Sequence, residues 1–389
     1  MTTISDLPDD LVGEIFSKVP LTSLSAVRST CKKWEALSKN HIVGKKAASR
    51  SRQFLEFMVS GSDVWSLRFD LQGIRNEEDD LSDPSMKQIN IPNTDQLEIS
   101  QVYYCDGLLL CISITKDKSS LVVWNPYLGQ TKWIRPGNKF DIFDKFALGY
   151  DNNHNHKILR FLDDDDVRSR RSQRSDTHVY DFSSDSWRVL DVNPDGDAPF
   201  YFSGVSSKGN SYFLGREVAG ELLVKDIEHF LVCFDFTTEI FGPRLPLPFD
   251  PSPDLKYTTL SWVRDEKLAV LNSHSDTFQI CNIWVSTKIE PNAVSWSTFF
   301  TVDMSPVNGF QSGLSTYFPP WSFFIDEEKK VAVFFNNSET KTCRYQMAYI
   351  VGDDGYFKSV NIGEISNSQW NRGKLVCSSY VPSLVQLQV

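Results

Sequence analysis

Four times along this 389-residue chain a strand-like run ends in an aromatic residue followed by Asp or Asn: Phe69-Asp70, Trp124-Asn125, Tyr180-Asp181 and Phe234-Asp235. The aromatic positions 69, 124, 180 and 234 lie 55, 56 and 54 residues apart. Each copy continues through a turn rich in Ser, Thr, Gly, Asp or Pro into a second strand with another bulky residue, as in LVVWNPYLGQTKWI and THVYDFSSDSWRVL. Trp284 and Tyr349 extend the series at looser intervals of 50 and 65. Between copies lie further strand pairs, among them CDGLLLCIS, FALGYDNNHNHKILRFL and LSWVRDEKLAVLN. Four strands per unit is the pattern of a β-propeller blade. One such sheet cannot bury both of its faces alone, whereas neighbours stacked around an axis bury them on one another. Six units are countable. The C-terminal run GKLVCSSYVPSLVQLQV is one more strand-like segment, placed to pair with the first blade and close the ring, which also covers an exposed sheet edge. An open β-sandwich is the alternative that the pattern leaves.

The first fifty residues follow a different period. Leu11, Val12, Ile15, Phe16 and Val19 mark one face of a helix. Pro8 stands at a first-turn position, Asp9, Asp10 and Glu14 favour the helix N-terminus, and Pro20 stops the helix. Thr22 or Ser23 caps a second helix carrying Leu24, Val27 and Cys31, and CKKWEALSKN adds a third with Trp34 and Leu37. The switch to strand alternation in QFLEFMVSGSDVWSLRFDLQG reads as a hairpin and sets the boundary. The expected organisation is therefore α+β and multidomain. Three helices occupy 1–45, a linker 46–52, and an all-β propeller of six blades 53–389. A three-helix unit below ~40 residues rarely supports its own core. Its apolar face is thus either a cap on the rest of the chain or half of an interface with another protein.

Composition narrows the function classes. Aromatics make up 13% of the chain, with 10 Trp and 27 Phe, which suits strands. A net charge of −10 argues against a nucleic-acid partner, whose phosphates need a basic face. Acidic residues interrupt any signal-peptide core at the N-terminus, and no run approaches a membrane span, so no membrane partner is expected. Seven scattered cysteines without a C-x-x-C pair fit reduced thiols in a cytoplasmic or nuclear protein, where the sequon at Asn336 would go unused.

Leu7-Pro8-Asp9-Asp10-Leu11, then Ile15, Val19-Pro20, Leu24, Val27-Arg28, Cys31-Lys32 and Trp34, resembles the F-box motif in order and spacing. Downstream, YYCDGLLLC, LVVWNPYLGQTKWI, ALGYD, KILRF and YDFSSDSWRVL resemble the plant F-box-associated domain of the large kelch-like type. The resemblance implies docking on a Skp-family adaptor and, through it, on a cullin–RING ubiquitin ligase. The residues it assigns to adaptor contact are Leu7, Pro8, Leu11, Ile15, Val19, Pro20, Leu24, Val27 and Trp34. Val27 and Trp34 are alternatively internal to the helical unit.

Residues that might carry chemistry have simpler readings. GFQSGLS (309–315) has the wrong order for a serine nucleophile elbow and reads as an inter-blade turn. His154 and His156 alternate at a hairpin tip with no ligand cluster at zinc spacing. Asp163 to Asp166 lack the spaced oxygens and glycine of a calcium loop. With Arg168, Arg170, Arg171 and Arg174 they read as a self-neutralising insertion rather than a nuclear-localisation signal. The proline-rich stretch 244–254 reads as a stiff inter-blade connection, and Trp124, Trp133, Trp187, Trp284 and Trp296 as blade core. No cofactor and no metal are expected. The expected role is a non-catalytic substrate receptor of an E3 ligase, with a target protein bound by loops on one rim, roughly 75–95, 137–146, 163–177, 191–200 and 305–320. The alternative is a propeller enzyme, or a small-ligand or glycan binder, working at the central channel.

Overall fold

A computed structural model describes Pro8, Leu11, Val12, Ile15, Lys32 and Trp34 in the N-terminal segment. From 53 to 387 it describes all but 61–62, 72–84, 93–96, 115–118, 137–143, 163–176, 193–203, 219–226, 250–254, 264–266, 275–279, 305–321, 340–343, 366–373 and 378–379. Blade 1 takes β1 (Gln53–Ser60), β2 (Asp63–Asp70) and β3 (Ser85–Ile89). Blade 2 is β4 (Gln101–Cys105), β5 (Leu108–Ile114), β6 (Ser119–Asn125) and β7 (Gln130–Ile134). Blade 3 is β8 (Asp144–Tyr150), β9 (His156–Leu162), β10 (Thr177–Asp181) and β11 (Ser186–Leu190). Blade 4 is β12 (Val205–Ser207), β13 (Asn210–Val218), β14 (Ile227–Asp235) and β15 (Ile240–Phe241). Blade 5 is β16 (Leu255–Val263), β17 (Lys267–His274), β18 (Ile280–Glu290) and β19 (Ala293–Asp303). Blade 6 is β20 (Ser322–Asp326), β21 (Val331–Glu339), β22 (Arg344–Gly352) and β23 (Phe357–Ile365). The last strand, β24 (Lys374–Cys377), returns to pair antiparallel with β1 as the innermost strand of blade 1.

Each blade is a four-stranded antiparallel meander, and the innermost strands touch in cyclic order, β4, β8, β12, β16, β20, β24 and back to β4. The propeller is therefore six-bladed and closed, and the open sandwich is excluded. Its core lies in the seams. Six apolar clusters are formed by the described residues, one for each pair of adjacent blades. On β5, Leu109 and Cys111 join the cluster shared with blade 1, while Leu108, Leu110 and Ile112 join the one shared with blade 3. A middle strand buries both faces, so its sequence reads as a continuous apolar run rather than an alternation.

The recurrent Asp or Asn closes the outer hairpin. Asn125 Oδ1 accepts the N–H groups of Tyr127 and Leu128, both at 3.0 Å, and Asp235 Oδ1 accepts that of Thr237 at 2.8 Å. Asp181 does the same for Ser183 at 2.8 Å. Four residues on, the backbone turns left-handed at Gly129 (φ 68°), Asp185 (φ 51°) and Glu239 (φ 60°). Glycine takes that conformation without penalty; Asp185 and Glu239 hold it while engaged in ion pairs. Blades 5 and 6 lack the Asx residue there. Trp284 pairs with Val270 and Tyr349 with Phe334, two residues farther along the hairpin than Phe69 or Trp124 in theirs. A slip of two keeps the side chain on the same face and accounts for two residues of the shortfall at 50, while the interval of 65, whose two landmarks are shifted alike, contains the long connection 304–321 between β19 and β20.

Of the five recurring tryptophans only Trp124 is fully core; Trp187 and Trp296 pack half-buried against seam clusters, and the blade-core reading is corrected for Trp133 and Trp284. Trp133 is 44% exposed, and Trp187, Trp284 and Trp296 are half-buried. The physical reason is position. Trp133, Trp187 and Trp296 stand on outermost strands, which have solvent on one edge. Trp187 and Trp296 use the indole N–H to tie back to the preceding connector, at Arg135 O (2.8 Å) and Pro246 O (2.9 Å). The proline-rich stretch is also more than a connector. Leu245 is buried and exchanges both backbone hydrogen bonds with Leu231, continuing the outer edge of blade 4 past a bulge at Gly242. A Cβ on Gly242 would stand 2.6 Å from Pro291 O of blade 5, so the bulge needs glycine.

The C-terminal residues strap the closed seam. Tyr380 packs edge-on against Phe57 and its hydroxyl donates to Gly107 O at 3.1 Å. Asn125, fully buried, donates through Nδ2 to Ser383 O (3.1 Å) and Val385 O (2.8 Å). This explains why the series has Asn at 125 and Asp at 181 and 235: only an amide can cap the turn and donate to the strap. Asn125→Asp should keep the turn but aim a carboxylate at two carbonyls. A loss of about 3 kcal/mol is expected in urea unfolding, whereas Asp235→Asn should stay within about 1 kcal/mol of the parent.

Candidate functional site

Two ends of the ring can be told apart by strand direction alone. At one end lie the short turns within blades: 106–107, 126–129, 151–155, 182–185, 208–209, 236–239, 291–292 and 327–330. At the other lie the connections from the second to the third strand of each blade and from each blade to the next. These include 163–176, 191–204 and 304–321, the longest in their blades. β1 begins at Gln53 opposite Asp70, the last residue of β2, so the N-terminal segment joins the ring at the short-turn end. The expected rim loops 137–146, 163–177, 191–200 and 305–320 lead off strand ends at the opposite, long-loop end. The fifth, 75–95, is corrected in part: its stretch between Asp70 and Ser85 connects strands at the short-turn end. The bulk of these loops lies outside the described residues.

In the N-terminal segment Leu11, Val12, Ile15, Lys32 and Trp34 are helical, and Val12 N–H donates to Pro8 O at 3.1 Å. Val12 is buried, at 1% exposure, while Leu11 and Ile15 are 48% and 44% exposed. Spacing of four puts Leu11 and Ile15 on one face. The two exposed apolar side chains therefore stand on one helical face, while the neighbouring Val12 is turned inward. Pro8 is exposed and Trp34 half-buried. Leu7, Val19, Pro20, Leu24 and Val27 lie outside the described residues, and the expectation of three helices over 1–45 falls largely on residues outside them. The strand that starts at Gln53 was readable from the change of period; which of Leu11 and Val12 faces outward was not.

At the short-turn end a cluster of ions joins blades 3 and 4. Lys157 Nζ, on β9, lies 2.9 Å from Glu239 Oε1 and 3.2 Å from Asp151 Oδ2, and donates to Phe236 O at 3.2 Å. Its side chain is 7% exposed. Arg188 also pairs with Glu239. Burial pushes the Asp151 carboxyl up, but N–H donors of Asn155 and Asn153 together with Lys157 outweigh it and hold the group below the usual range. Glu239 is likewise lowered, burial being outweighed by Arg188 and Lys157. For Lys157 burial works against the charge, and Glu239 and Asp151 overcome it and raise the pKa. Every charge is matched, which marks a structural joint rather than a reactive group. No sequence signal identified it, because its four members lie on three separate hairpins.

The remaining candidates for chemistry are dispersed. His154 takes a left-handed turn conformation (φ 59°) and stacks on Tyr150 at 4.9 Å, while His156 is buried, 3.7 Å from Asp106 Oδ2. Among the described residues no group of three or more His, Cys, Asp or Glu is placed to hold a metal ion. Burial pushes the thiols of Cys233 and Cys281 up to about 12 and also raises Cys111, so these are protonated, unreactive core residues at neutral pH. GFQSGLS (309–315), Asp163 to Asp166 and the following arginines lie outside the described residues.

Comparison with known proteins agrees with both halves. Residues 4–46 match the F-box domain family, and residues 55–387 match the F-box associated beta propeller domain family. An F-box protein of Arabidopsis thaliana is 68% identical over 391 residues, covering 100% of both chains. An F-box/kelch-repeat protein of the same plant is 51% identical over 401 residues, covering 100% of this chain and 98% of its own. Among solved structures, TolB of Acinetobacter baumannii aligns with a TM-score of 0.42 and 11% identity over 89% of this chain and 70% of its own. With both domain matches in order and full-length relatives at this identity, the chain belongs to the plant F-box proteins that carry an F-box-associated β-propeller domain.

Proposed function

We propose that this protein is the substrate-recognition subunit of an SCF-type cullin–RING ubiquitin ligase. On this reading residues 1–45 form three short helices, and Leu7, Pro8, Leu11, Ile15, Val19, Pro20, Leu24, Val27 and Trp34 supply the apolar contact with a Skp-family adaptor. The propeller holds a target protein at the end away from the tether. The chain itself performs no chemistry: it needs no cofactor, and it speeds ubiquitin transfer by turning a bimolecular encounter into a local one. The cytoplasm or nucleus is the fitting compartment, since Cys105, Cys111, Cys233 and Cys281 are buried and in no disulfide.

The observation that carries the proposal is the F-box match joined to the exposed Leu11 and Ile15 pair on one helical face. The geometry of the ring supports it. The tether leaves from one end and the connections 163–176, 191–204 and 304–321 from the other, so a target bound by those connections and the ligase machinery do not compete for one surface. The test is co-purification of the full-length chain with a Skp-family adaptor. Wild type should form a stable complex. Leu11→Ala/Ile15→Ala should weaken it at least tenfold, because two buried apolar side chains are worth about 2–4 kcal/mol together at an interface. Thermal unfolding of the propeller should not change. Failure of the wild type to bind, or indifference to the double substitution, overturns the proposal.

A further inference from the structure

We propose that two copies of this chain pair edge to edge through the outermost strand of blade 5, with Ala293–Thr298 of β19 antiparallel to the same residues of the second copy. An outermost strand turns one row of backbone N–H and C=O groups away from its sheet, and natural sheets guard such edges with charged residues, brevity or bulges. The other outer strands are guarded in these ways. β3, β7 and β11 are five residues long, and each has a cation at its middle position, Lys87, Lys132 and Arg188. β15 has two residues. β23 carries Lys358 and lies against blade 1, where a Cβ on Gly363 would stand 2.7 Å from Met86 Cε. β19 differs: it is 11 residues long and holds no charged residue before Asp303.

The register sets the length of the open edge. Ala293 to Thr298 each have a partner on β18, whereas Phe299 is skipped between Thr298, opposite Trp284, and Phe300, opposite Ile283. That bulge bends the strand and ends the regular stretch at Thr298. Within the stretch Val294, Trp296 and Thr298 share one face, on which Val294 and Trp296 pack half-buried against the seam with blade 4. Ser295 and Ser297 stand exposed on the other face. β-branched and aromatic side chains alternating with small polar ones suit a strand paired on both edges.

The occupant is a second copy because the stretch is compatible with itself in charge and side-chain type. In a two-fold pair, residue i meets j of the copy and j meets i. Residues that meet share a face, so the axis passes through a residue. Centred on Trp296, Trp296 meets its own copy, Val294 meets Thr298 and Ser295 meets Ser297, with no like charges opposed. The same operation centred on β3, β7 or β11 would set Lys87, Lys132 or Arg188 against its own copy, which is destabilising. Antiparallel pairing reverses strand direction, so the long-loop end of each ring lies beside the short-turn end of the other. A target held by one copy would then stand on the side from which the other copy's tether leaves. The pairing is independent of the receptor reading; only this last consequence rests on it.

Sedimentation velocity of the full-length chain at micromolar concentration tests this. Wild type should run as a dimer. Ser295→Lys/Ser297→Lys and Ser295→Glu/Ser297→Glu each place two like-charge pairs across the axis. Either should raise the dimer dissociation constant at least tenfold, so that each variant alone runs as a monomer. An equal mixture of the two should return to the dimer, because every such pair is then Lys against Glu. Ser359→Lys, a charge added at an exposed position of β23, should stay dimeric. Both substituted serines are exposed, so the variants should melt like the parent, and recovery in the mixture shows that both are folded. A monomeric wild type overturns the inference, whether its edge stays bare or takes a strand of another protein. So does a dimer that survives in either double variant, or a mixture that stays monomeric. Adaptor co-purification is read beside it. Loss of the dimer with adaptor binding intact leaves the receptor reading standing, and loss of adaptor binding with the dimer intact counts against that reading alone.

Discussion

Replacing Lys157 with methionine should cost the propeller roughly 3–5 kcal/mol in urea unfolding, the amount typical of stranding one side of a buried ion pair. Methionine fills nearly the same volume, so packing contributes little to the loss. The cost comes from Asp151 and Glu239, which lose the ammonium that lies within 3.2 Å of both, and from Phe236 O, which loses its donor. Arg188 still neutralises Glu239, so Asp151 is the group left short of a partner. A double change, Lys157→Met with Asp151→Asn, should recover part of the stability. A single-site loss within 1 kcal/mol would show that the cluster adds nothing beyond an exposed ion pair.

The same cluster sets a direction with pH. Asp151 and Glu239 both titrate below their ordinary range when folded, so their contribution is complete above the unfolded carboxylate pKa of about 4 and is lost as pH falls through the lower folded values. Lys157 titrates above its ordinary value, so its share holds across the neutral range and fades only in strong alkali. Wild-type stability should therefore drop on acidification below about pH 4 more steeply than that of Lys157→Met, which has already lost the ammonium pairing.

Deleting residues 374–389 should abolish cooperative folding of the ring. The deletion removes β24, the inner strand of blade 1, whose register runs from Lys374 opposite Val59 to Cys377 opposite Phe57. It also removes Tyr380, in contact with Phe57 and Tyr104, and Leu387, buried in the seam between blades 2 and 3. Burying two large side chains is worth about 1.5–3 kcal/mol each. The exposed edge of β1, beginning near Phe57 and Met58, adds unpaired backbone groups and a site for aggregation. The expected result is insoluble protein, or a species without a single unfolding transition. A truncated chain that unfolds as sharply as the parent would show that the ring does not depend on its closing strand.

Much of the ring was legible in advance. The spacing of Phe69, Trp124, Tyr180 and Phe234 located one hairpin in each of four blades because the turn chemistry is local: an Asx side chain caps the two or three residues that follow it. The last two blades were harder to align. In their outer hairpins no Asx residue directly follows the landmark aromatic; in blade 6 the cap comes later, from Asp354 Oδ1 to the Tyr356 N–H at 3.2 Å, and aromatic residues two positions away served as landmarks instead. The closing role of the C-terminal segment was also readable, since a strand-like run left over after six units has one unpaired edge to go to.

Other features had no local signal. Trp124 and Trp133 look alike in sequence, yet one sits on the third strand of a blade and the other on the outermost, and only stacking decides which is sealed from water. Asn125 looks like a conservative variant of Asp; its reason is a strap some 260 residues away. The Lys157 cluster draws its members from three hairpins of two blades, so it has no single spacing to detect.

By itself the sequence determined the two-part organisation, the six-fold repeat and the apolar helical stretch at the N-terminus, because periodicity, turn residues and helix stops act within a few residues of one another. Tertiary structure alone decided which side chains meet across seams, and which end of the ring carries the tether and which the long loops. Those depend on strand direction and blade stacking, which bring together residues that no local interaction connects.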